Sequence, residues 1–270
     1  MPLDHILNAV PDWFQVRSRA ESEILGTTYV QLDNAVGVIE VDLRVHDQGG
    51  EVAVQEQVPG TCYPRICHER HLQSDEHFCI GFKAGKGIVS TDHATVWWGL
   101  LRHFLKLQRV AQRTGRWPPQ QELAHGAAGP HQLAAVAAAK ELGIENEYME
   151  MLAGQPAWFS NSGLQLNARD RLKNSWLPCP VGCRKNRKRI SRADCCRPEA
   201  VATLIKQERH RRKKTADFYW LARACGEKCC GTMLRCGLRD PASDGVLCSG
   251  NSGSGSQGSF QRGAVNSGEA

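Results

Sequence analysis

Residues 59–82 gather the groups of this chain best suited to nucleophilic chemistry. The segment holds Cys62, Cys67 and Cys79, the histidines His68, His71 and His77, and the acids Glu69, Asp75 and Glu76. It is rich in Pro and Gly and has little helical or strand periodicity, so it reads as a loop. Polar residues on a loop held between regular elements are a common way to build a site. A thiolate can accept an acyl group and hand it to an amine, which divides one difficult acyl transfer into two easier steps. Positive or hydrogen-bonding neighbours raise the thiolate fraction, and Arg70, His71 and His77 are at hand. Cys79 is the candidate nucleophile. The competing reading is a small buried hydrophobe, which is how free cysteines often serve.

Such a loop needs elements to position it. The apolar residues Ile6, Leu7, Val10, Trp13 and Phe14 predict an opening helix within residues 1–24, interrupted by Pro11. Residues 28–32 read as a strand, and Asp33, Asn34 and Ala35 as a turn. Ile39, Val41, Leu43 and Val45 alternate with Glu40, Asp42 and Arg44, the pattern of a half-buried strand over 36–45. A turn at 47–50 leads to a partner strand over 52–58. The three strands form an antiparallel meander with one face free to pack helices. After the loop, Ser90, Thr91 and Asp92 offer helix caps. Trp97, Leu100, Leu101, Phe104, Leu105 and Leu107 give a helix over 94–112 its apolar stripe. A second helix, 130–142, starts with Pro and ends before Gly143, and a short one follows over 145–152.

The loop resembles the active-site segment of ubiquitin-conjugating enzymes. In that family a His-Pro-Asn triplet precedes the catalytic Cys, with the Asn eight residues before it and often an Asp four residues before it. Here His71 stands eight residues before Cys79, Asp75 four before, and Ile80 directly after. The triplet is replaced by Glu69-Arg70-His71. That form is similar to a group of bacterial relatives in which Cys-x-Glu-Arg-His and Phe-Cys-Leu-Gly recur; the present chain has Cys67-His68-Glu69-Arg70-His71 and Phe78-Cys79-Ile80-Gly81. The order helix, meander, loop, helix, helix also fits, over about residues 1–150. The resemblance implies an α+β, ubiquitin-conjugating-enzyme-like core with Cys79 as the thioester carrier. It gives His71 the oxyanion-donor role of the family's Asn, and Asp75 a part in orienting or deprotonating the amine. Asp75 is otherwise a turn-former, and His77 is a candidate base or an exposed loop histidine. A rival reading makes Cys62, Cys67 and Cys79, with His68 or His71, a zinc site; the absence of a close Cys-x-x-Cys pair weighs against it.

The composition changes near residue 177. Nine of the twelve cysteines follow residue 178, and basic runs occupy 184–192 and 209–214. Cys179, Cys183, Cys195 and Cys196 form two thiol pairs suited to a tetrahedral structural zinc. They resemble small Cys-Pro-Cys-Gly-Ser-Gly zinc tails, but with wider spacing. Cys225, Cys229, Cys230 and Cys236 form a second cluster or complete the first. One helix is expected over 199–221, and a Gly/Ser-rich disordered tail after residue 240. The domains expected are a catalytic domain at 1–153, a linker at 154–176, a Cys-rich basic module at 177–240 and a tail at 241–270.

The net charge of +6 leaves the basic runs as a solvated face or a surface for nucleic acid. No apolar run reaches the ~20 residues of a membrane span, and no secretory signal is evident. The expectation is a cytoplasmic bacterial protein with reduced thiols. No Walker-type loop is present, so an activating enzyme or another route supplies the acyl group. The resemblance implies as donor a ubiquitin-like protein or the C-terminus of a cyclic-nucleotide synthase in an anti-phage operon, and as acceptor a target lysine. The alternative is a non-enzymatic zinc and nucleic-acid-binding adaptor working through residues 179–214.

Overall fold

The computed structural model describes residues 1–32, 37–118, 121, 123–161 and 163–239. The expected turn at 33–35 and the Gly/Ser-rich tail lie outside these residues. The elements are α1 (Pro2–Asn8), β1 (Phe14–Arg19), β2 (Glu23–Gln31), β3 (Val38–Asp47), β4 (Val52–Glu56), α2 (Thr91–Thr114), α3 (Gly129–Leu142), α4 (Glu145–Leu152), the short ribbon strands β5 (Arg184–Lys185) and β6 (Lys188–Arg189), and α5 (Pro198–Ala224).

Strands β1 to β4 form one antiparallel sheet in chain order. The opening helix is shorter than its sequence suggests. It stops at Asn8, and Phe14, expected on that helix, begins an edge strand paired with Thr28. Pro11 cannot continue a helix, and the free edge of β2 offers the next residues a ladder. On β3 the alternation holds: Ile39, Val41, Leu43 and Val45 are buried. This face packs on Trp97, Trp98, Leu101, Phe104 and Leu105 of α2, each worth about 2 kcal/mol or more when buried. Ser90 caps α2 by accepting a hydrogen bond from the His93 N–H at 3.2 Å, and Gly115, at φ 63°, ends it. The Trp98 indole N–H donates to the Ile6 carbonyl at 3.0 Å and ties α1 to α2.

A second core is built from α3, α4 and α5. Ala135, Tyr148, Met151, Val201, Leu204 and Ile205 meet there. Helices α3 and α4, expected with the catalytic region, therefore share their apolar face with α5. Residues 154–176, read as a linker, place Phe159, Leu164 and Leu172 in this same core. These apolar residues are too sparse to show a period, which is why the sequence reads as a connection. Among the described residues no helix is long and apolar enough to cross a membrane.

Glu208 of α5 is fully buried in this second core. It accepts two hydrogen bonds from Arg211 and one from Arg212, all 2.7 Å, and one from the Tyr148 hydroxyl at 2.9 Å. Burial pushes its carboxyl upward, but the two guanidinium groups outweigh this and hold it below the usual carboxylate range. Removing one member of such a set leaves the others unpaired in a dry site. Glu208→Ala should cost about 3 kcal/mol in chemical denaturation; a loss under about 1 kcal/mol would show that the cluster does not hold α4 to α5.

Candidate active site

The loop after β4 is fixed at its start by Glu56. This buried carboxylate accepts from the backbone N–H groups of Gly60, Cys62 and Tyr63 at 2.9, 2.6 and 3.3 Å. A single 3-10 turn over His68–Arg70 follows. Arg70, buried beneath it, donates to the Gln108 side chain at 2.8 Å, and Gln108 donates back to the Arg70 carbonyl at 2.5 Å. Arg70 is thus an anchor on α2, where its sequence position suggested a partner for the thiolate.

The chain then doubles back. His71 is left-handed at φ 57°. The Gln73 N–H donates to the His77 carbonyl at 3.0 Å, and the Cys79 N–H to the His71 carbonyl at 2.9 Å. The Phe78 N–H donates to the Val54 carbonyl at 2.8 Å, which locks the returning arm to the sheet. Residues 71–79 are a tight irregular hairpin, so the eight-residue spacing is that of two positions facing each other across it. Cys79 and His71 line one cleft of about 450 Å3, and Asp75 and His77 line it too.

The electrostatics differ from the expectation of a cationic setting. His71 is buried against the rings of Trp117 and His125, both 4.9 Å away. Burial, helped by His68, lowers its pKa to about 4. His125 falls to about 3 for the same reason, with His71 and His68 adding to it. Both imidazoles are neutral near pH 7 and can donate one N–H each. Cys79 is partly buried; burial raises its thiol pKa above the ordinary 9.0, against a lowering hydrogen bond from the Gly81 backbone.

At the hairpin tip Asp75 accepts from the His77 Nδ1–H at 2.9 Å. The His77 Nε2 lies 3.1 Å from the Nε2 of His46 on β3. One of these two nitrogens carries the shared proton. Burial first, then His77, lowers the His46 pKa.

The remaining motif residues grip the C-terminal region, His68 and Ser74 from the cleft wall itself. Cys67 Sγ lies 2.7 Å from Cys230 Sγ. His68 Nε2 bonds Glu227, which also accepts from Ser74 at 2.6 Å. Glu69 accepts from the Tyr219 hydroxyl at 2.6 Å and the Gly237 N–H at 2.9 Å. Phe218 of α5 stacks on His125 at 5.2 Å, and both reach the cleft wall. His125, Phe218 and Glu227 escape sequence reasoning because each lies far along the chain from the loop. The one available hint was a motif carrying more polar groups than the chemistry needs.

The loop's three cysteines do not converge: Cys62 is exposed, Cys67 faces Cys230 and Cys79 lines the cleft. The other predicted set lies apart from this cleft. Cys183 and Cys196 are 3.9 Å apart at sulfur; burial first, then the nearby Cys179, raises the thiol pKa of Cys183 and of Cys195. Among the described residues no group of three or more His, Cys, Asp or Glu side chains is gathered tightly enough to hold a metal ion.

Residues 13–119 match the family model described as a prokaryotic E2 domain. Residues 124–238 match the model described as a cysteine-rich domain C-terminal to the E2 domain. No curated protein and no solved structure matches the chain. The seam between the two matches falls ahead of α3, which agrees with the sharing of α3, α4 and α5 in one core.

The two buried imidazoles set an acid limit. Each has a folded pKa below its ordinary 6.5, so the unfolded chain binds more protons as pH falls below about 6.5. Stability should be full above that value and decline toward pH 4, His71 alone accounting for about 3 kcal/mol. His71→Asn should flatten the pH dependence of unfolding across this window. An unchanged slope would mean that His71 is not held neutral.

Proposed function

We propose that this chain, a prokaryotic E2-like protein with a C-terminal Cys-rich domain, carries a protein C-terminus as a thioester on Cys79 and transfers it to a lysine amine. The observation that carries the reading is the placement of Cys79 and His71 opposite each other on a tight hairpin, both facing one open cleft.

In the first step the Cys79 sulfur attacks the carbonyl of a donor thioester, displacing the donor's thiol. The Cys79 proton leaves with that thiol, and the acyl group now rests on Cys79. In the second step an amine attacks the same carbonyl, Cys79 departs as thiolate, and an amide forms. The amine's surplus proton passes to a base, and Asp75, a half-exposed carboxylate lining the cleft and held by His77, is the base at hand. In both steps charge builds on the carbonyl oxygen. A neutral imidazole N–H on His71 supplies a fixed donor for it. Because the thiol pKa of Cys79 is raised, its thiolate is scarce at rest, and the sulfur gives up its proton only as it attacks the bound carbonyl. The acyl donor is a ubiquitin-like protein or the C-terminus of a cyclic-nucleotide synthase, charged by a separate activating enzyme. Bacterial anti-phage defence is the setting in which such a reaction has a use.

The decisive experiment is a non-reducing gel with the charged donor. A thiol-labile adduct is expected, absent in Cys79→Ala; persistence of the adduct in that variant would end the proposal. His71→Ala should slow both steps by roughly 100-fold or more, with His71→Asn recovering much of the loss because it restores a donor. Asp75→Asn should slow amine transfer by at least about 10-fold while leaving adduct formation nearly intact.

We further propose that Cys179, Cys183, Cys195 and Cys196 hold a structural zinc. Four thiols in a short, polar segment fit that ion's preference once their side chains draw in around it, and metal would supply the stability that packing does not. The purified protein should carry about one zinc per chain assigned to this set, lost in Cys179→Ser/Cys183→Ser together with cooperative melting of that region. Full zinc content in the double variant would refute the assignment.

A further inference from the structure

The sequence carries two basic runs, and the structure treats them differently. On α5 the charges are spent internally. Arg211 and Arg212 hold Glu208, Arg209 donates to the Leu164 carbonyl, Lys206 pairs with Asp170 at 2.6 Å and Lys214 with Asp217 at 3.7 Å. The run at 184–189 is the opposite case. Arg184, Lys185, Arg187, Lys188 and Arg189 are all exposed, and none of the five has an ion-pair or side-chain hydrogen-bond partner among the described residues.

These five cations sit on a two-stranded ribbon. Arg184 pairs with Arg189 and Lys185 with Lys188, so both rungs set like charges directly opposite each other. Such pairs work against strand association. The ribbon is nonetheless fixed. Asn186 and Arg187 take the left-handed turn at φ 49° and 67°. Its base is tied by the Cys179 N–H to the Ile190 carbonyl at 2.8 Å and by the Ile190 N–H to the Cys183 carbonyl at 3.1 Å. A rigid support that holds repelling cations in solvent is suited to a polyanion.

A second observation narrows the polyanion. Trp176 is 75% exposed. It is held beside the ribbon's exit, because the flanking carbonyls of Ser175 and Leu177 accept from the N–H groups of Ala193 and Arg192 at 3.0 and 2.8 Å. An acidic protein surface would use the cations but has no particular need of an open indole. Unpaired bases stack on such a ring, while their phosphates follow a basic track.

We propose that the ribbon 184–189 and Trp176 form a binding site for single-stranded nucleic acid, sequence-tolerant and separate from the Cys79 cleft. The site stands whether or not the conjugation reading holds. The test is fluorescence anisotropy of the full-length protein with a labelled mixed-sequence oligonucleotide, DNA and RNA in turn. Binding should weaken by about 50-fold between about 50 and 200 mM salt, as about four neutralised phosphates require. Arg184→Ala/Lys185→Ala/Lys188→Ala/Arg189→Ala should remove most of that salt dependence. Trp176→Ala should weaken binding by about 10-fold or more, with Trp176→Phe largely restoring it. Lys213→Ala, on α5, should bind as wild type. Near-UV circular dichroism and the metal content of each variant check that the module is folded. No binding at low salt, tighter binding to duplex of the same sequence, equal competition by polyglutamate, or wild-type affinity in Trp176→Ala would each overturn the proposal.

Discussion

The 2.9 Å hydrogen bond from the Cys79 N–H to the His71 carbonyl is the constraint on which the cleft depends. It turns two residues eight apart in sequence into neighbours across a hairpin. The hairpin is not cheap: His71 at φ 57° and Glu76 at φ 70° both take a conformation that non-glycine residues avoid, at a cost of order 1–3 kcal/mol each. The strain persists because the arms are held independently. Phe78 is bonded to Val54 in the sheet, and Arg70 and Gln108 are bonded reciprocally beneath the outgoing arm. Strain held by surrounding structure at a cleft is a common mark of a functional site.

The Cys-rich region supplies part of the same constraint from the other side. Tyr219 and Gly237 bond Glu69, and Glu227 bonds His68 and Ser74. Phe218 and His125 then wall the cleft beside His71. The buried His68 and the half-buried Glu69 thus find their partners some 150 residues away in sequence. Leaving such groups unpaired would cost roughly 1–3 kcal/mol each. The C-terminal region is therefore part of the support of the loop, and the order of the Cys79 cleft is tied to the folding of the second core.

How much of this could be read in advance follows from where each interaction lies along the chain. The alternation of Ile39 to Val45, the cap at Ser90, the stripe on α2 and the stop at Gly143 are local, and the sequence shows them plainly. The spacing of His71, Asp75 and Cys79 is local too, because a hairpin closes on itself. The failures are all non-local. Phe14 looked helical because Trp13 and Phe14 continue an apolar period; only the open edge of β2 makes Phe14 the start of an edge strand. Phe159, Leu164 and Leu172 looked like a linker because their partners are on α3, α4 and α5. His125 gave no signal, since a single histidine after a helix says nothing of the imidazoles it will meet. The two basic runs looked alike in composition, and only the packing of α5, with Glu208 as its buried anchor, tells them apart.

The neutral state of the histidines bears on what kind of thiol the cleft holds. A cysteine beside a cation is a thiolate at rest and reacts with any small electrophile that reaches it. Cys79 has the opposite surroundings. Its pKa is raised by burial, His71 and His125 are held uncharged, Arg70 is committed to Gln108, Lys86 is paired with Glu51 and Lys83 lies over the Phe82 ring. At neutral pH such a sulfur is mostly protonated and slow toward free reagents. It gains reactivity when a carbonyl sits where a fixed N–H can take up its developing charge, so the barrier falls in the transition state more than in the resting protein. For a protein whose proposed task is to accept an acyl chain from one partner and release it to another, that arrangement favours the bound carbonyl over every other electrophile in solution.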